Sequence, residues 1–237
     1  MSIKYKRILL KLSGEGLMGD KNFGISPAVL QSLAAQIKAI HQKKVDICIV
    51  IGGGNIFRGA KEASNGMNRT VADQIGMLAT LMNALSIQNA LEDNGVPARV
   101  MSGLSVPQVC ENYIYRKALH HLEKHRVIIF AAGTGNPYFT TDTGAVLRAS
   151  EMQCDVVLKS TQVDGVYDDD PRTNPKAKRY DEISYNDVIK KQLKVMDQTA
   201  VALAKENNIP IIVFSQHEKG SLENIVQGKG IFTIIKN

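Results

Sequence analysis

The sequence predicts an α/β fold built on a mostly parallel sheet with helices on both of its faces. Three observations carry that prediction. Seven short runs rich in Val, Ile and Leu read as strands, stretches of helical periodicity separate them, and the runs are apolar throughout instead of alternating with polar residues. A strand that is apolar on both faces has to be covered on both, and parallel neighbours need crossover helices between them. With 237 residues the chain is long enough for one large core and short for two, so a single domain over 1–237 is expected.

The elements follow in order. "RILLKL" (7–12) is the first strand-like run. "SPAVLQSLAAQIKAIHQKK" (26–44) reads as a helix with Ser26 as N-cap and Pro27 at the first helical position, where its fixed φ suits the helix. "DICIVIG" (46–52) is the second strand. In "TVADQIGMLATLMNALSIQNALEDNG" (70–95), Ile75, Leu78, Ala79, Met82, Leu85 and Ala90 trace an apolar helical face, and Gly95 is a natural residue to follow the C-cap. It reads as a core helix long enough to leave another face for a subunit contact. "ARVMS" (98–102), "RVIIFAAG" (126–133), "DVVLKS" (155–160), "IPIIVFS" (209–215) and "GIFTIIK" (230–236) complete the strand-like runs. A helical rhythm begins after Asp142, and "DGVYDDDPRTNPKAKRYDEIS" (164–184) is the only long loop-rich excursion.

Open α/β sheets bind ligands beyond the carboxyl ends of their strands. Four such ends carry glycines and polar groups. Lys11 precedes Ser13-Gly14-Glu15-Gly16; Gly52, Gly53 and Gly54 follow the second strand, with Arg58 close behind; "GTGNPYFTTDT" (133–143) follows the fourth; Lys159 and Thr161 end the fifth. Glycines let backbone N–H groups approach a phosphate, and a nearby cation offsets its charge. A glycine triplet alone reads equally as a tight turn. Lysines at strand ends are expensive to bury without an anionic partner, so the four ends together point to a phosphate site. The P-loop pattern G-x-x-x-x-G-K-[ST] is absent, and "GTGNPY" and "GGGNIF" both fail G-x-G-x-x-G. That excludes an ordinary P-loop NTPase and a fingerprint dinucleotide binder.

A net charge of +6 and a pI near 9.1 admit nucleotides or nucleic acid as partners. Lys and Arg are spread along the chain, and the densest basic block, "PRTNPKAKR" (171–179), lacks the interleaved aromatics of a single-strand binder, which leaves nucleic acid the minor reading. Cys48, Cys110 and Cys154 are far apart and form neither a disulfide framework nor a zinc pattern. The N-terminal apolar run is broken by Lys11, and no stretch reaches membrane-spanning length, so a cytoplasmic location is expected.

The segments "LLKLSGE", "IGGGNIFRG", "GMNR", "AGTGNPYFTTDTGAVLRASE", "DVVLKSTQVDGVYDDDP" and "LKVMDQTAVALA" occur in an order and spacing that resembles the bacterial uridylate (UMP) kinases of the amino acid kinase family. The likeness covers essentially the whole chain. "GTGNPYFTTDT" and "LKVMD" carry the likeness to UMP kinases, whereas the glycine triplet and "DGVYDDDP" are shared with relatives that phosphorylate carboxylates or carbamate.

The resemblance implies a three-layer αβα sandwich with a mostly parallel central sheet. It implies transfer of the ATP γ-phosphoryl group to UMP, giving UDP for pyrimidine nucleotide biosynthesis, with Mg2+ accompanying ATP. It further implies a homo-oligomer, of hexamer size, with UTP and GTP as effectors. By matching position, Lys11, Arg58, Asp142, Lys159 and Asp197 form the catalytic set. Lys11, Leu12, Ser13, Gly14, Gly54, Arg58, Thr161, Gln162, Tyr167 and Asp170 fall to ATP. Gly53, Asp73, Thr134, Gly135, Asn136, Pro137, Tyr138, Phe139, Thr140 and Thr141 fall to UMP. Asp142 and Asp197 would orient the lysines or hold magnesium directly or through water; each has the structural alternative of capping a helix, and no metal ligand is assigned.

The sequence departs from the pattern at Gln88 and Glu92, where many relatives carry basic or imidazole side chains of a GTP site; Arg99 and Arg126 remain. The segment "GDKNFG" (19–24) matches another region tied to effector response. Two further readings stay open. One is a relative acting on a carboxylate or carbamate, and the other a nucleotide-storing assembly without catalysis.

Overall fold

A computed structural model describes residues 3–58, 66–193, 195–215 and 221–237. Gly59 of the glycine-rich motif and Lys194 of "LKVMD" lie outside those residues. All seven strand-like runs form strands, two with the expected bounds and the others shifted or trimmed at their ends: β1 (Arg7–Leu12), β2 (Asp46–Ile51), β3 (Ala98–Ser102), β5 (Val127–Ala131), β6 (Val156–Thr161), β10 (Ile211–Ser215) and β11 (Thr233–Lys236). Between them lie strands too short to leave a pattern: β4 (Glu111–Asn112), β7 (Val166–Tyr167), β8 (Arg179–Tyr180) and β9 (Glu182–Ser184). β7 and β8 pair as an antiparallel ribbon inside the loop-rich excursion.

The helices are α1 (Pro27–His41), α2 (Arg69–Asp93), α3 (Tyr115–Glu123), α4 (Thr141–Glu151), α5 (Tyr185–Lys190), α6 (Gln198–Glu206) and α7 (Ser221–Val226). Ser26 does occupy the N-cap of α1 ahead of Pro27, but its side chain makes no capping hydrogen bond. Gly95 takes φ +75° one residue beyond the C-cap of α2, the left-handed geometry that releases a chain from a helix.

One nine-stranded sheet runs β4-β3-β5-β2-β1-β6-β10-β11-β9. Its pairings are parallel except that of β10 with β11. Residues at alternate strand positions go to opposite faces. Ile8, Leu10 and Leu12 therefore meet Ile37 of α1, Ile87 of α2 and Ile225 of α7 on one side. Leu9, Cys48, Val50 and Val157 meet Leu122 of α3, Val146 of α4, Val188 of α5 and Val201 of α6 on the other. The result is a three-layer αβα sandwich.

The apolar face expected on α2 needs correction. Ala79 and Ala90 are buried as expected, but Leu78 and Met82 are 48% and 54% exposed, and the buried face runs through Ala72, Met77, Thr80, Asn83, Ala84, Ile87 and Leu91. Leu85 packs against the core and Ile75 is half-buried, so the expected stripe straddles the edge of the buried face; the residue types on the two faces are similar, and periodicity alone does not place that edge. β5, β2, β1 and β6 are consecutive neighbours, which brings the four polar strand ends into one row.

Candidate active site

The site begins at the point where the apolar core of the sheet stops. On β1 the residue after inward-facing Leu9 on the same face is Lys11, and on β6 the residue after Val157 is Lys159. The strands run in register with Lys11 opposite Lys159, so two ammonium groups arise side by side. Asp142, in the first turn of α4, lies between them: Lys11 Nζ is 2.7 Å from its Oδ1 and Lys159 Nζ 2.7 Å from its Oδ2. The Lys11 contact is an ion pair without good hydrogen-bond angles, whereas Lys159 donates a hydrogen bond to Oδ2 and another to the carbonyl of Val195.

All three side chains are largely buried. Burial pushes the Asp142 carboxyl up, but the adjoining ammonium groups of Lys11 and Lys159 outweigh it and hold the group below the usual carboxylate range. Burial pulls the Lys159 ammonium down from its ordinary value, Asp142 opposes that, and Lys11 adds to it. Two cations share the one carboxylate they contact, and the Asp197 carboxylate is a weaker influence on Lys159.

Thr140, not Asp142, caps α4, its hydroxyl accepting from the N–H groups of Asp142 and Thr143. That frees the Asp142 carboxylate for the lysines. Asp197 does cap α6, accepting from Ala200 N at 2.9 Å, and its carboxylate also accepts from the hydroxyls of Thr140 and Thr143. It ties the starts of α4 and α6 together. Arg58 pairs with Glu15 at 2.8 Å on the exposed rim and donates to Gly54 O at 3.3 Å.

Among the described residues, one cleft of about 440 Å³ at this row of strand ends is lined by Leu12, Ser13, Glu15 and Gln162 among others, and two further clefts gather most of the expected site residues. The larger, of about 620 Å³, is lined by Lys11, Ser13, Lys159, Thr161, Gln162, Tyr167 and Asp170 among others, with the β7–β8 ribbon region as one wall. The smaller, of about 190 Å³, is lined by Gly53, Phe57, Arg69, Asp73, Thr134, Asn136, Phe139, Thr140 and Thr141 among others. Asp73 accepts from Arg69 Nε and from Tyr138 N, both at 2.8 Å, which fastens the polar loop after β5 to α2. Arg69 also lies over the Tyr138 ring, 5.5 Å from its centre.

The sequence profile of the amino acid kinase family matches residues 6–215. The chain belongs to the amino acid kinase family. It is 59% identical over 232 residues to the uridylate kinase of Erythrobacter litoralis, with 98% of each chain covered. It is 55% identical over 234 residues to that of Paramagnetospirillum magneticum, covering 99% of this chain and 98% of the relative. The crystal structure of UMP kinase from Bacillus anthracis superposes with a TM-score of 0.94 at 40% identity, over 98% of this chain and 96% of that one. UMP kinase from Ureaplasma parvum gives 0.93 at 38% identity, over 99% and 100%.

Within this amino acid kinase fold, the residues expected at an ATP site divide. Lys11, Ser13, Thr161, Gln162, Tyr167 and Asp170 line the large cleft; Leu12, Gly14, Gly54 and Arg58 sit behind it or on the neighbouring turns. Of those expected at a UMP site, Gly53, Asp73, Thr134, Asn136, Phe139, Thr140 and Thr141 line the small cleft, while Gly135, Pro137 and Tyr138 belong to the same loop without lining it. Asp197 lines neither of these two clefts.

Three polar residues of this family member escaped sequence reasoning. Thr80, buried in α2, accepts from Ala132 N at 2.7 Å and so fixes the loop after β5 where Ala132 and Gly133 turn through φ +62° and +54°. Asn55 and Asn83 form a buried pair between the β2 turn and α2. A signal for Thr80 and Asn83 did exist: polar residues of modest helix propensity in the middle of an apolar helix.

Proposed function

We propose that the chain is a UMP kinase, transferring the γ-phosphoryl group of ATP to UMP to give ADP and UDP, for pyrimidine nucleotide biosynthesis in the cytoplasm, from a single catalytic domain. The observation that carries this reading is the Lys11–Asp142–Lys159 group, whose two lysines line the large cleft and whose aspartate directly follows Thr141, which lines the small one. The names of the relatives, uridylate kinases at 55% identity and above over nearly their whole length, support it.

In this reading ATP occupies the large cleft, its adenosine among Thr161, Gln162, Tyr167 and Asp170, and UMP the small one. Phosphoryl transfer asks the protein for alignment and charge stabilisation, with little covalent chemistry. Lys11 and Lys159 neutralise the transferring phosphoryl oxygens, and Asp142 keeps the two ammonium groups apart and aimed. Arg58 exchanges Glu15 for donor phosphate. Asp73 and the loop from Thr134 to Thr141 hold the acceptor, whose phosphate faces the start of α4, where the helix dipole favours an anion. The acceptor oxygen is ionised at neutral pH, so no general base is required.

Magnesium fits this site as an ion carried by ATP. Among the described residues no cluster of His, Cys, Asp or Glu could hold a metal, and the carboxylates of Asp142 and Asp197 are already engaged. Magnesium bound chiefly by phosphates and water supplies charge neutralisation on the nucleotide.

Regulation belongs to the same reading. UTP, sharing uracil and ribose with the acceptor, inhibits by occupying the small cleft. GTP is a weak effector at best, because Glu92 pairs with Arg99 at 3.0 Å and cancels positive charge that an anionic effector would need. The assembly is a homohexamer whose contacts include the outward face of α2.

A coupled assay of ADP release with Mg-ATP against UMP, CMP, dTMP, AMP, GMP, acetylglutamate, aspartate and carbamate tests the proposal. Turnover confined to UMP is expected. Turnover only with a carboxylate or carbamate would keep the donor site and discard the acceptor assignment, and silence on every acceptor would favour a storage role.

A further inference from the structure

Asn55 closes the glycine triplet after β2, Asn83 lies midway along α2, and both are buried, at 2% and 0% exposure. Their carboxamides face each other. Asn55 Nδ2 donates to Asn83 Oδ1 at 2.9 Å, and Asn83 Nδ2 donates to Asn55 Oδ1 at 2.7 Å. The second hydrogen of each amide goes to backbone: from Asn55 to Gly24 O at 2.9 Å, and from Asn83 to Gly52 O at 2.7 Å. Every amide N–H of the pair is engaged, and turning either carboxamide over would set oxygen against carbonyl and nitrogen against nitrogen. A fully satisfied polar set in dry surroundings is rigid, because an unpaired member would bear its whole desolvation penalty.

The surroundings show what this rigidity acts on. A methyl group placed on Gly14 would come within 2.5 Å of Asn55 Oδ1 and 2.6 Å of Gly52 O, so the turn after β1 lies directly against the pair and the turn after β2. Gly24 N in turn donates to Asn55 O at 2.9 Å. The pair is therefore the junction of both glycine turns, the segment around Gly24, and α2, which itself carries Asp73 and Thr80. An apolar pair would fill the same space without being able to hold Gly52 O or Gly24 O.

We propose that Asn55 and Asn83 are positioning residues for phosphoryl transfer. Acting through Gly52 and Gly14, they hold the two glycine turns at the separation from α2 at which donor and acceptor phosphates align. The inference rests on the kinase reading above.

Asn83→Asp nearly preserves shape but sets carboxylate oxygen against Gly52 O and Asn55 Oδ1; Asn55→Asp does the same to Gly24 O and Asn83 Oδ1. For both variants and the unaltered enzyme, the measurements are turnover with Mg-ATP and UMP, ATP-binding stoichiometry by equilibrium dialysis, and thermal unfolding. The expected result is a kcat per ATP-competent site lowered by about 100-fold, the scale of a ~1 Å misplacement, with the KM for each nucleotide changed far less. Unaltered kcat per competent site, with only a lowered Tm, would make the pair structural and overturn the inference. If neither variant folds, Asn83→Ser, which removes the amide without adding charge, is read in the same way, and failure of all three to fold would assign the pair to folding alone and also overturn it. An unaltered enzyme that binds ATP but leaves UMP untouched would instead remove the kinase reading, and this inference with it.

Discussion

Replacing Asp142 with Asn leaves the ammonium groups of Lys11 and Lys159 facing each other without the carboxylate that each contacts at 2.7 Å. Removing one partner from a buried ionic group destabilises by about 3–5 kcal/mol, since the remaining charges stay desolvated. Chemical denaturation should report a loss of that order at neutral pH. Its pH dependence has a definite sign. The Asp142 carboxyl is held below its ordinary value of 3.8, so its contribution is complete above 3.8 and disappears as pH falls through the lower folded-state value. The gap between Asp142→Asn and the unaltered protein should therefore close in strong acid; a gap that persists there would mean the loss is not electrostatic. Asp73 permits a kinetic test at the same scale. Its carboxylate lines the small cleft and holds the loop at Tyr138 N, so Asp73→Asn should raise the KM for UMP far more than that for ATP. Equal changes would remove Asp73 from the acceptor site.

The elements around the site are held by close approaches and polar anchors. A methyl group on Gly53 would meet Gly76 O and the Ala79 side chain at 2.9 Å, so the β2 turn touches the α2 backbone with no room for a side chain. Gly53→Ala should push the turn off the helix, costing about 1–3 kcal/mol of overpacking in thermal unfolding, together with turnover. Unchanged Tm and kcat would show the contact to be loose. α4, which carries Asp142, is fixed at its far end by Arg148, whose buried guanidinium stacks 3.6 Å from the centre of the Tyr113 ring and pairs with Glu151 at 2.6 Å. Tyr113 also donates to Glu151 at 2.7 Å, and burial followed by that bond pushes its phenol well up. The carboxylate at one end of the helix is thus placed by a cation stacked at the other.

Across the whole molecule, the sheet order decides that the site exists at all, because β5, β2, β1 and β6 are neighbours and four polar turns become one surface. The same order leaves α2 on the outside of its layer, presenting Val71, Leu78 and Met82 at 45%, 48% and 54% exposure. Exposed apolar stripes of this kind mark contacts between chains. Sedimentation at micromolar concentration should give an oligomer, and Leu78→Glu with Met82→Glu should yield a smaller species. A monomeric unaltered protein would defeat the assembly proposed for it.

The sequence by itself determined what each local stretch is and much of what it does. Continuous apolar runs gave the strands, Gly95 the end of α2, and the lysines at strand ends the need for an anion there, since burying a cation beside a core demands one whatever the fold; the structure supplies Asp142. The glycine turns and "GTGNPYFTTDT" were legible because their residue types are unusual for plain connections. Only the tertiary structure decided which groups meet. That Asp142 serves two lysines while Thr140 takes its expected capping role depends on β1 and β6 pairing with Lys11 opposite Lys159, and on α4 bringing Asp142 to Lys159, 17 residues on in the chain. Which side of α2 is buried was equally undetermined, because an apolar stripe reads the same whether it faces a sheet or another subunit. The Asn55–Asn83 pair was hidden for a related reason: a reciprocal hydrogen bond between residues 28 positions apart has no periodicity, and its meaning lies in the two backbones it joins.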